Sequence, residues 1–133
     1  TLWDVLDSSA LLLAASSWPV RHLESFARVR DADEAPLVIG NRGASGIDGL
    51  LATAWGAALA HQTPRTAIHV DEDGMAEVVT AVGGTAYALV GDLAFLHDHN
   101  GLLAGDDEGD CAGACTPADA SAAVCAISLS SGR

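Results

Sequence analysis

With 133 residues, half of them hydrophobic, the chain is long enough to bury the core of one domain. Its 18 acidic residues outnumber its 6 basic ones, which are all arginines; this acid excess is equally typical of a salt-adapted protein and of a GC-rich genome. The net charge of −12 argues against nucleic acid as a partner, because a nucleic-acid backbone binds a basic surface. The longest apolar run near the start, residues 10–15, is too short to cross a bilayer, so we do not expect a membrane as a partner either.

In chain order, the first 60 residues predict strands that alternate with helices. Residues 2–6 fit a short helix or the end of a linker, and the apolar run 10–15 fits a first strand. A proline suits the first turn of a helix, and apolar residues at three- and four-residue steps extend that helix over 19–30. Residues 37–39 then predict a second, buried strand, and 50–60 predict a helix.

The stretch 62–84 is ambiguous, because 66–70 fits a strand whereas 75–82 fits either a helix or a strand. We interpret the whole stretch as a possible insertion or a lid-like hairpin. Clear patterns return with a strand over 85–90 and a helix over 94–103.

The last part of the chain differs in composition. An acidic loop at 105–110 precedes a stretch rich in alanine, serine and cysteine, and 122–129 is a final strand candidate. Cys111 and Cys115 could form half of a zinc site, but no second ligand pair follows, so ordinary loop residues are the stronger interpretation. Three cysteines without an export signal predict a cytoplasmic location.

Strands separated by helices predict an α/β fold, in which a parallel sheet has helices on both faces. Ligands of such sheets bind beyond the carboxyl ends of the strands. Three polar motifs fall at those ends: Ser16-Ser17, Asn41-Arg42-Gly43 and Gly91-Asp92. We therefore expect the three motifs to meet at one edge of the sheet.

The turn at 41–49 carries the strongest binding signal. A glycine-rich turn from a strand into a helix exposes backbone N–H groups beside the positive end of the helix dipole. Arg42 adds a permanent cation there, and Asp48 is expected to cap or begin the helix. The turn therefore predicts the binding of an anionic group.

These motifs resemble those of a known enzyme family. They look like those of SEPHCHC synthase, the thiamine-diphosphate enzyme of menaquinone biosynthesis, and they occur in the same order. In this chain the three motifs are Ser-Ser-Trp-Pro-Val-Arg at 16–21, Asn-Arg-Gly-Ala-Ser-Gly-Ile-Asp-Gly at 41–49 and Gly-Asp-Leu-Ala-Phe-Leu-His-Asp at 91–98. The resemblance covers roughly residues 1–105. It implies an incomplete C-terminal pyrophosphate-binding (PP) domain over 1–133, with 62–84 as a possible insertion and 106–133 as a divergent tail.

By this resemblance, the cofactors are thiamine diphosphate and Mg²⁺ or Mn²⁺. Asp92 is the expected metal ligand, because hard divalent cations prefer carboxylate oxygens, although Gly-Asp also ends many strands in ordinary turns. The residues expected to hold the cofactor are Ser16, Gly91, Asp92, Leu93 and Ala94. For Ser16, a capping hydroxyl is an equally good interpretation.

The resemblance assigns catalytic and substrate contacts to Ser17, Arg21, Arg42 and Ile47. The two arginines match residues that bind substrate carboxylates, which a guanidinium holds through two parallel hydrogen bonds. Arg21 could instead pair with Glu24 on its own helix, and Ser17 could be a capping residue. Ile47 matches the apolar residue that supports the bent cofactor, and core packing is its other interpretation.

One part of the family pattern is missing. The cofactor motif is normally completed by an asparagine at the end of the next strand, but no asparagine follows Asn100. By strand position, Ser128, Leu129 or Ser130 would fill that corner, whereas counting along the chain points to Asp119. This departure puts the metal site in question.

The reaction implied by the resemblance is the decarboxylation of 2-oxoglutarate and addition to isochorismate, by a transferase expected to be a homo-oligomer at full length. In this family the glutamate that activates the cofactor comes from another domain of a partner subunit, so we expect no activity from this chain alone. Two alternatives stay open. One is another thiamine-diphosphate enzyme, such as a relative of acetolactate synthase, and the other is a non-catalytic remnant that acts as a binding or assembly module.

Overall fold

A computed structural model of the chain describes residues 1–41, 46–70 and 73–102, together with the backbone of 124–129. The helices are α1 (Leu2–Val5), α2 (Trp18–Phe26), α3 (Leu50–Gln62) and α4 (Asp92–His97), and a 3-10 helix covers His99–Leu102. The strands are β1 (Leu11–Ala14), β2 (Leu37–Ile39), β3 (Arg65–Val70), β4 (Ala76–Ala81), β5 (Ala86–Gly91) and β6 (Val124–Leu129). Of these helices, none is long and apolar enough to cross a membrane.

Four parallel strands form the main sheet in the order β2-β1-β5-β6. In its register, Leu13 of β1 pairs with Ile39 on one side and with Ala88 on the other. Because the four strands run in the same direction, their carboxyl ends lie along one edge of the sheet. The predicted α/β fold is confirmed, and so are the strands predicted at 10–15, 37–39, 85–90 and 122–129, with small shifts at their ends.

Helices cover both faces of this sheet. Since successive side chains of a strand point to opposite faces, Leu12 and Leu13 of β1 belong to different clusters. On the face covered by α3 and α4, the buried cluster contains Leu13, Ala15, Leu50, Leu51, Ala54, Ala88, Val90 and Ala94. On the other face, Leu23 of α2 packs against a cluster of Leu6, Ala10, Leu12 and Leu89. The apolar strands β1 and β5 are thus the centre of the fold.

Two predictions from periodicity are wrong in detail. The helix expected over 19–30 ends at Phe26, and of its predicted apolar face Leu23 packs on the sheet whereas Val20 and Phe26 are exposed. The strand at 37–39 was expected to be buried, but β2 lies at the edge of the described sheet and is largely exposed. A short apolar run has the same pattern in a central strand and in an edge strand, so the sequence does not separate the two.

The ambiguous stretch 62–84 contains an antiparallel hairpin of β3 and β4, in which Ile68 faces Val78. Its base is held by hydrogen bonds from Gly83 N to the His61 carbonyl oxygen at 3.0 Å and from Gly84 N to the Ser9 carbonyl oxygen at 2.7 Å. These residues lie where β1 and β5 begin, at the end of the sheet opposite the three polar motifs. The role of the hairpin as an insertion or a lid stays a prediction.

Candidate functional site

The carboxyl ends of β1, β2 and β5 bring the described parts of the three motifs to one edge of the sheet. Because β1 lies between β2 and β5, Ser16 and Ser17 follow the central strand end, while Asn41 and Gly91 lie on either side. Neighbouring strands are about 4.8 Å apart, so the ends of β2 and β5 are separated by about 10 Å. A small-molecule ligand can therefore contact all three strand ends at once.

The strand order reverses at this edge. From β1 the chain crosses to β2 through α2, and from β2 it returns past β1 to β5 through α3, which covers the opposite face. In open parallel sheets such a reversal leaves a crevice outside the strand ends, and ligands bind there. By this rule the crevice of this chain is expected between the ends of β1 and β5, and therefore between Ser16-Ser17 and Gly91-Asp92.

Ser17 has a strained backbone at this crevice. Its φ of 72° and ψ of −126° make it the one non-glycine residue with a positive φ in the described part of the chain. Such a conformation costs a residue other than glycine about 1–3 kcal/mol. Ser17 occupies the N-cap position of α2, but its side chain makes no capping hydrogen bond, so the interpretation of its hydroxyl as a cap is wrong. The hydroxyl is available to a ligand.

Arg21 lies in the first turns of α2, and its backbone N–H donates to the Ser17 carbonyl oxygen at 3.3 Å. Its guanidinium is exposed and lies 6.0 Å from the centroid of the Trp18 ring. The ion pairs between described residues do not include one from Arg21 to Glu24, so the interpretation of Arg21 as half of a helix-face pair is wrong. A cation beside the crevice is thus left for an anionic ligand.

The turn at 41–49 is closed at its base by polar side chains. Asn41 Nδ2 donates to Thr53 Oγ1 at 3.0 Å, and Thr53 Oγ1 donates to the Gly49 carbonyl oxygen at 2.7 Å. Both ends of the turn are therefore fixed to the first turn of α3. Arg42 lies outside the described residues, and its role as a carboxylate-binding residue stays a prediction. Ile47 is 40% exposed, so its side chain is only partly packed against the protein.

The start of α3 is bound by a carboxylate of the protein itself. Asp98 Oδ2 accepts hydrogen bonds from Leu51 N at 2.6 Å and from Ala52 N at 3.3 Å. Asp48, which was expected to cap or begin this helix, instead contacts His97, with 2.9 Å between Oδ1 and Nδ1. The anion predicted for these amides is thus supplied by a residue that the sequence analysis did not single out. No local signal reveals it, because Asp98 is distant in sequence and the contact depends on the tertiary fold.

The end of β5 forms the other side of the crevice. A Cβ atom built on Gly91 would meet nothing within 4 Å, so a ligand can approach its backbone closely. Asp92 begins α4 with an exposed carboxylate, whose Oδ1 accepts a hydrogen bond from Leu93 N at 2.9 Å. The side chain of Ala94 is buried in the core, so the cofactor contact expected of Ala94 could involve only its backbone and stays a prediction.

These residues fit one protein ligand for a divalent cation. Mg²⁺ in phosphate sites is commonly held by one or two carboxylates together with phosphate oxygens, and Asp92 supplies one carboxylate. Gly91 pairs with Leu129, so the end of β6 adjoins Asp92, as the predicted position of a second ligand requires. Asp119, Ser130, Cys111 and Cys115 lie outside the described residues. Within the described part, no group of three or more His, Cys, Asp or Glu residues could hold a metal ion.

The fold is that of an α/β protein with a parallel sheet and a strand-order reversal, the place where ligands of such sheets bind. No family model matches the chain. Among curated proteins, the 2-succinyl-5-enolpyruvyl-6-hydroxy-3-cyclohexene-1-carboxylate (SEPHCHC) synthase of Thermobifida fusca is 48% identical over 103 residues, which are 77% of this chain and 15% of the relative. Synthases of the same name from Halobacterium salinarum and Saccharopolyspora erythraea are 43% and 39% identical, over 71% and 79% of this chain and 12% and 15% of the relatives.

The chain therefore belongs to the SEPHCHC synthase family, and it spans only a small part of the length of these relatives. The resemblance inferred from the three motifs is confirmed.

Proposed function

We propose that this chain is the thiamine-diphosphate-binding part of a SEPHCHC synthase, with a fold of the PP-domain type. The observation that carries this proposal is the parallel arrangement of β1, β2 and β5, which brings the strand ends that precede or bear the three family motifs to one edge of the sheet. The shared name of the relatives supports the reaction, in which 2-oxoglutarate is decarboxylated and added to isochorismate. The enzyme would be a carbon–carbon bond-forming transferase.

On the β5 side of the crevice, the chain would bind the cofactor. The backbone is open at Gly91, the stretch from Gly91 through Leu93 to Ala94 would hold the diphosphate, and the exposed carboxylate of Asp92 would hold Mg²⁺ or Mn²⁺ against it. Ser16, at the end of β1, would add a hydroxyl contact. Bound thiamine diphosphate would supply the electron sink for decarboxylation, while the protein contributes placement and a shielded site.

On the β1 and β2 side, the chain would bind the substrates. Both 2-oxoglutarate and isochorismate are dianions, and a chain with a net charge of −12 repels them except where arginines are concentrated. Arg21 and Arg42 would hold the carboxylates through paired hydrogen bonds. Ser17 would present its hydroxyl to the reacting centre, and Ile47 would support the bent shape of the cofactor.

We further propose that activity requires the remaining domains of such an enzyme, since its activating glutamate lies elsewhere. The assembled enzyme would be a cytoplasmic homo-oligomer without nucleic acid or membrane as a partner. Purified chain with cofactor, Mg²⁺ and both substrates should form no product. A steady product signal from that mixture would contradict this part of the proposal.

The experiment that tests the binding proposal is isothermal titration calorimetry of thiamine diphosphate into the chain with Mg²⁺ present. The wild-type chain should give a saturable heat. Asp92→Ala removes a direct ligand of the cation and should weaken binding at least tenfold, since even residues behind the ligands contribute 10–100-fold to metal affinity. Asp33→Ala removes an equally exposed carboxylate from a loop between α2 and β2 and is the matched control.

Two outcomes would count against the proposal. Absence of wild-type heat would remove the chain from the cofactor-binding proteins and favour the non-catalytic interpretation. Equal weakening by Asp92→Ala and Asp33→Ala would show a general loss of negative charge rather than a metal ligand.

The rival assignment to an acetolactate-synthase relative needs an active enzyme. Replacing the matching segment of the Thermobifida fusca relative by this chain's residues gives a chimaera in which the remaining domains are present. We expect turnover of 2-oxoglutarate with isochorismate, and at least a tenfold loss on Arg21→Ala because one carboxylate contact is removed. Turnover of pyruvate instead would favour the rival.

A further inference from the structure

The segment that follows α4 holds the start of α3. Asp98 Oδ2 accepts hydrogen bonds from the second and third backbone N–H groups of α3, on Leu51 at 2.6 Å and Ala52 at 3.3 Å. The first four N–H groups of a helix have no partner within the helix, so a carboxylate there both satisfies them and opposes the helix dipole. Asp98 is partly buried, which strengthens this interaction relative to one in open water.

Two further contacts join the same two segments. A Cβ atom on Gly101 would lie 2.5 Å from Ala52 N, so the 3-10 helix approaches α3 so closely that only glycine fits there. His97 Nδ1 lies 2.9 Å from Asp48 Oδ1, just before α3 begins. The Gly101 N–H in turn donates to the Asp98 carbonyl oxygen at 2.9 Å, which fixes the turn that carries the carboxylate.

These contacts connect the two sides of the crevice. Asp92 begins α4 on the cofactor side, and Asp98 is the residue at which α4 ends. The turn at 41–49 leads directly into α3, and Asn41 fixes its other end to Thr53 in the first turn of that helix. Together with the core packing of Leu50 and Leu51, the bond between Asp98 and α3 therefore helps to hold residues 46–49 beside the helix that Asp92 begins.

We propose that Asp98 is a positioning residue, which sets the start of α3, together with residues 46–49 that lead into it, against the metal-binding start of α4. The inference rests on the proposed function for the roles of Arg42 and Asp92, but the mechanical link rests only on the contacts that Asp98 and its neighbours make with the start of α3. In this proposal Asp98 would contact neither cofactor nor substrate. Its carboxylate holds the start of α3, and it would act on the site through residues 46–49, which lead into that helix.

The mechanical link is tested by hydrogen exchange of the full chain, read on peptides that cover 46–55. Asp98→Ala should accelerate exchange of the first-turn amides of α3 about tenfold, because a hydrogen bond to a charged group is lost there. Asp98→Asn keeps one acceptor oxygen and should lie between Asp98→Ala and the wild type. Asp33→Ala is the control and should leave these peptides unchanged.

Two results would overturn the link. Unchanged exchange in Asp98→Ala would show that the carboxylate does not hold α3. Equal acceleration in peptides from β1 and β5 would show global unfolding, and the proposal then stands or falls on Asp98→Asn, whose effect must remain confined to the start of α3.

The functional consequence is tested by calorimetry of 2-oxoglutarate into chain saturated with thiamine diphosphate and Mg²⁺. Asp98→Ala should weaken 2-oxoglutarate binding about tenfold while the affinity for thiamine diphosphate stays within about twofold, and Asp98→Asn should restore part of the loss. Equal losses of both affinities would mean a merely structural role and would overturn the proposal. If the wild-type chain binds no thiamine diphosphate, the proposed function fails, whereas the exchange experiment still decides the mechanical link.

Discussion

Replacing Ser17 by glycine should stabilise the chain, because it removes backbone strain without removing a hydrogen bond. The φ of 72° and ψ of −126° cost serine about 1–3 kcal/mol. Glycine adopts this conformation freely, but its greater freedom in the unfolded chain opposes folding by about 0.4–1 kcal/mol. The net expectation is about 1 kcal/mol of added stability. Ser17→Ala keeps the strain and removes only the hydroxyl, so it should change the free energy of unfolding by less than about 0.5 kcal/mol.

Urea denaturation followed by circular dichroism measures both changes. With a slope of about 1.5 kcal/mol per molar urea, 1 kcal/mol moves the midpoint upward by about 0.7 M in Ser17→Gly. If the hydroxyl acts at the reacting centre, both variants should lower kcat in the chimaera although one of them is more stable. A midpoint for Ser17→Gly at or below that of the wild type would refute the argument from strain.

Three other predictions concern stability. Gly101→Ala places a Cβ atom 2.5 Å from a backbone nitrogen of α3 and should lower the free energy of unfolding by about 1–3 kcal/mol. Gly56→Ala, where the added Cβ meets nothing within 4 Å, should raise it by about 0.5–1 kcal/mol. Equal melting temperatures of the two variants would contradict this expectation. Arg30→Ala removes two guanidinium hydrogen bonds, of 2.5 and 2.6 Å, to the carbonyl oxygens of Leu6 and Trp3 at α1. The urea midpoint should fall by the equivalent of about 2 kcal/mol. An unchanged midpoint would show that these bonds do not contribute to stability. Hydrogen bonds from the Ser9 hydroxyl and backbone N–H lower the pKa of Asp7 from its ordinary 3.8. The wild type should therefore be more stable than Asp7→Asn above pH 3.8 and should lose that advantage as the pH falls through the pKa of Asp7 in the folded chain. A difference in urea midpoint that does not change with pH would exclude the charge of Asp7 as its source.

The edge of the sheet where the site lies could be predicted from the sequence, because parallel strands share a direction whatever their order. The order itself could not be predicted. The runs at 10–15 and 37–39 are both short and apolar, yet one is the central strand β1 and the other is β2 at the edge of the described sheet. Their difference lies in which faces the helices cover, and this depends on the connections between strands rather than on either run. The position of the expected crevice, between β1 and β5, could be inferred only once that strand order was known.

The contacts of individual side chains could not be predicted from the sequence for a related reason. Arg21 and Glu24 have the spacing of a helix pair, but the guanidinium lies over Trp18 instead, since an exposed ion pair gains little in water. Asp48 has the position of a helix cap and contacts His97. Local spacing shows which contacts are geometrically allowed, and the tertiary fold decides among them.

The contact of Asp98 with α3 also limits where the anionic groups of the proposed ligands can bind. The amides of Leu51 and Ala52 already hold a carboxylate, so a cofactor diphosphate cannot use the start of α3 without displacing Asp98. In the proposed site, the diphosphate would instead approach the backbone at Gly91, where an added Cβ atom would meet nothing within 4 Å, beside the carboxylate of Asp92. In the proposed arrangement, the turn at 41–49 would then be left to the substrate. A cofactor at the end of β5 and substrate carboxylates at the ends of β1 and β2 would lie one or two strand spacings apart, and this separation would let the two anionic molecules bind side by side.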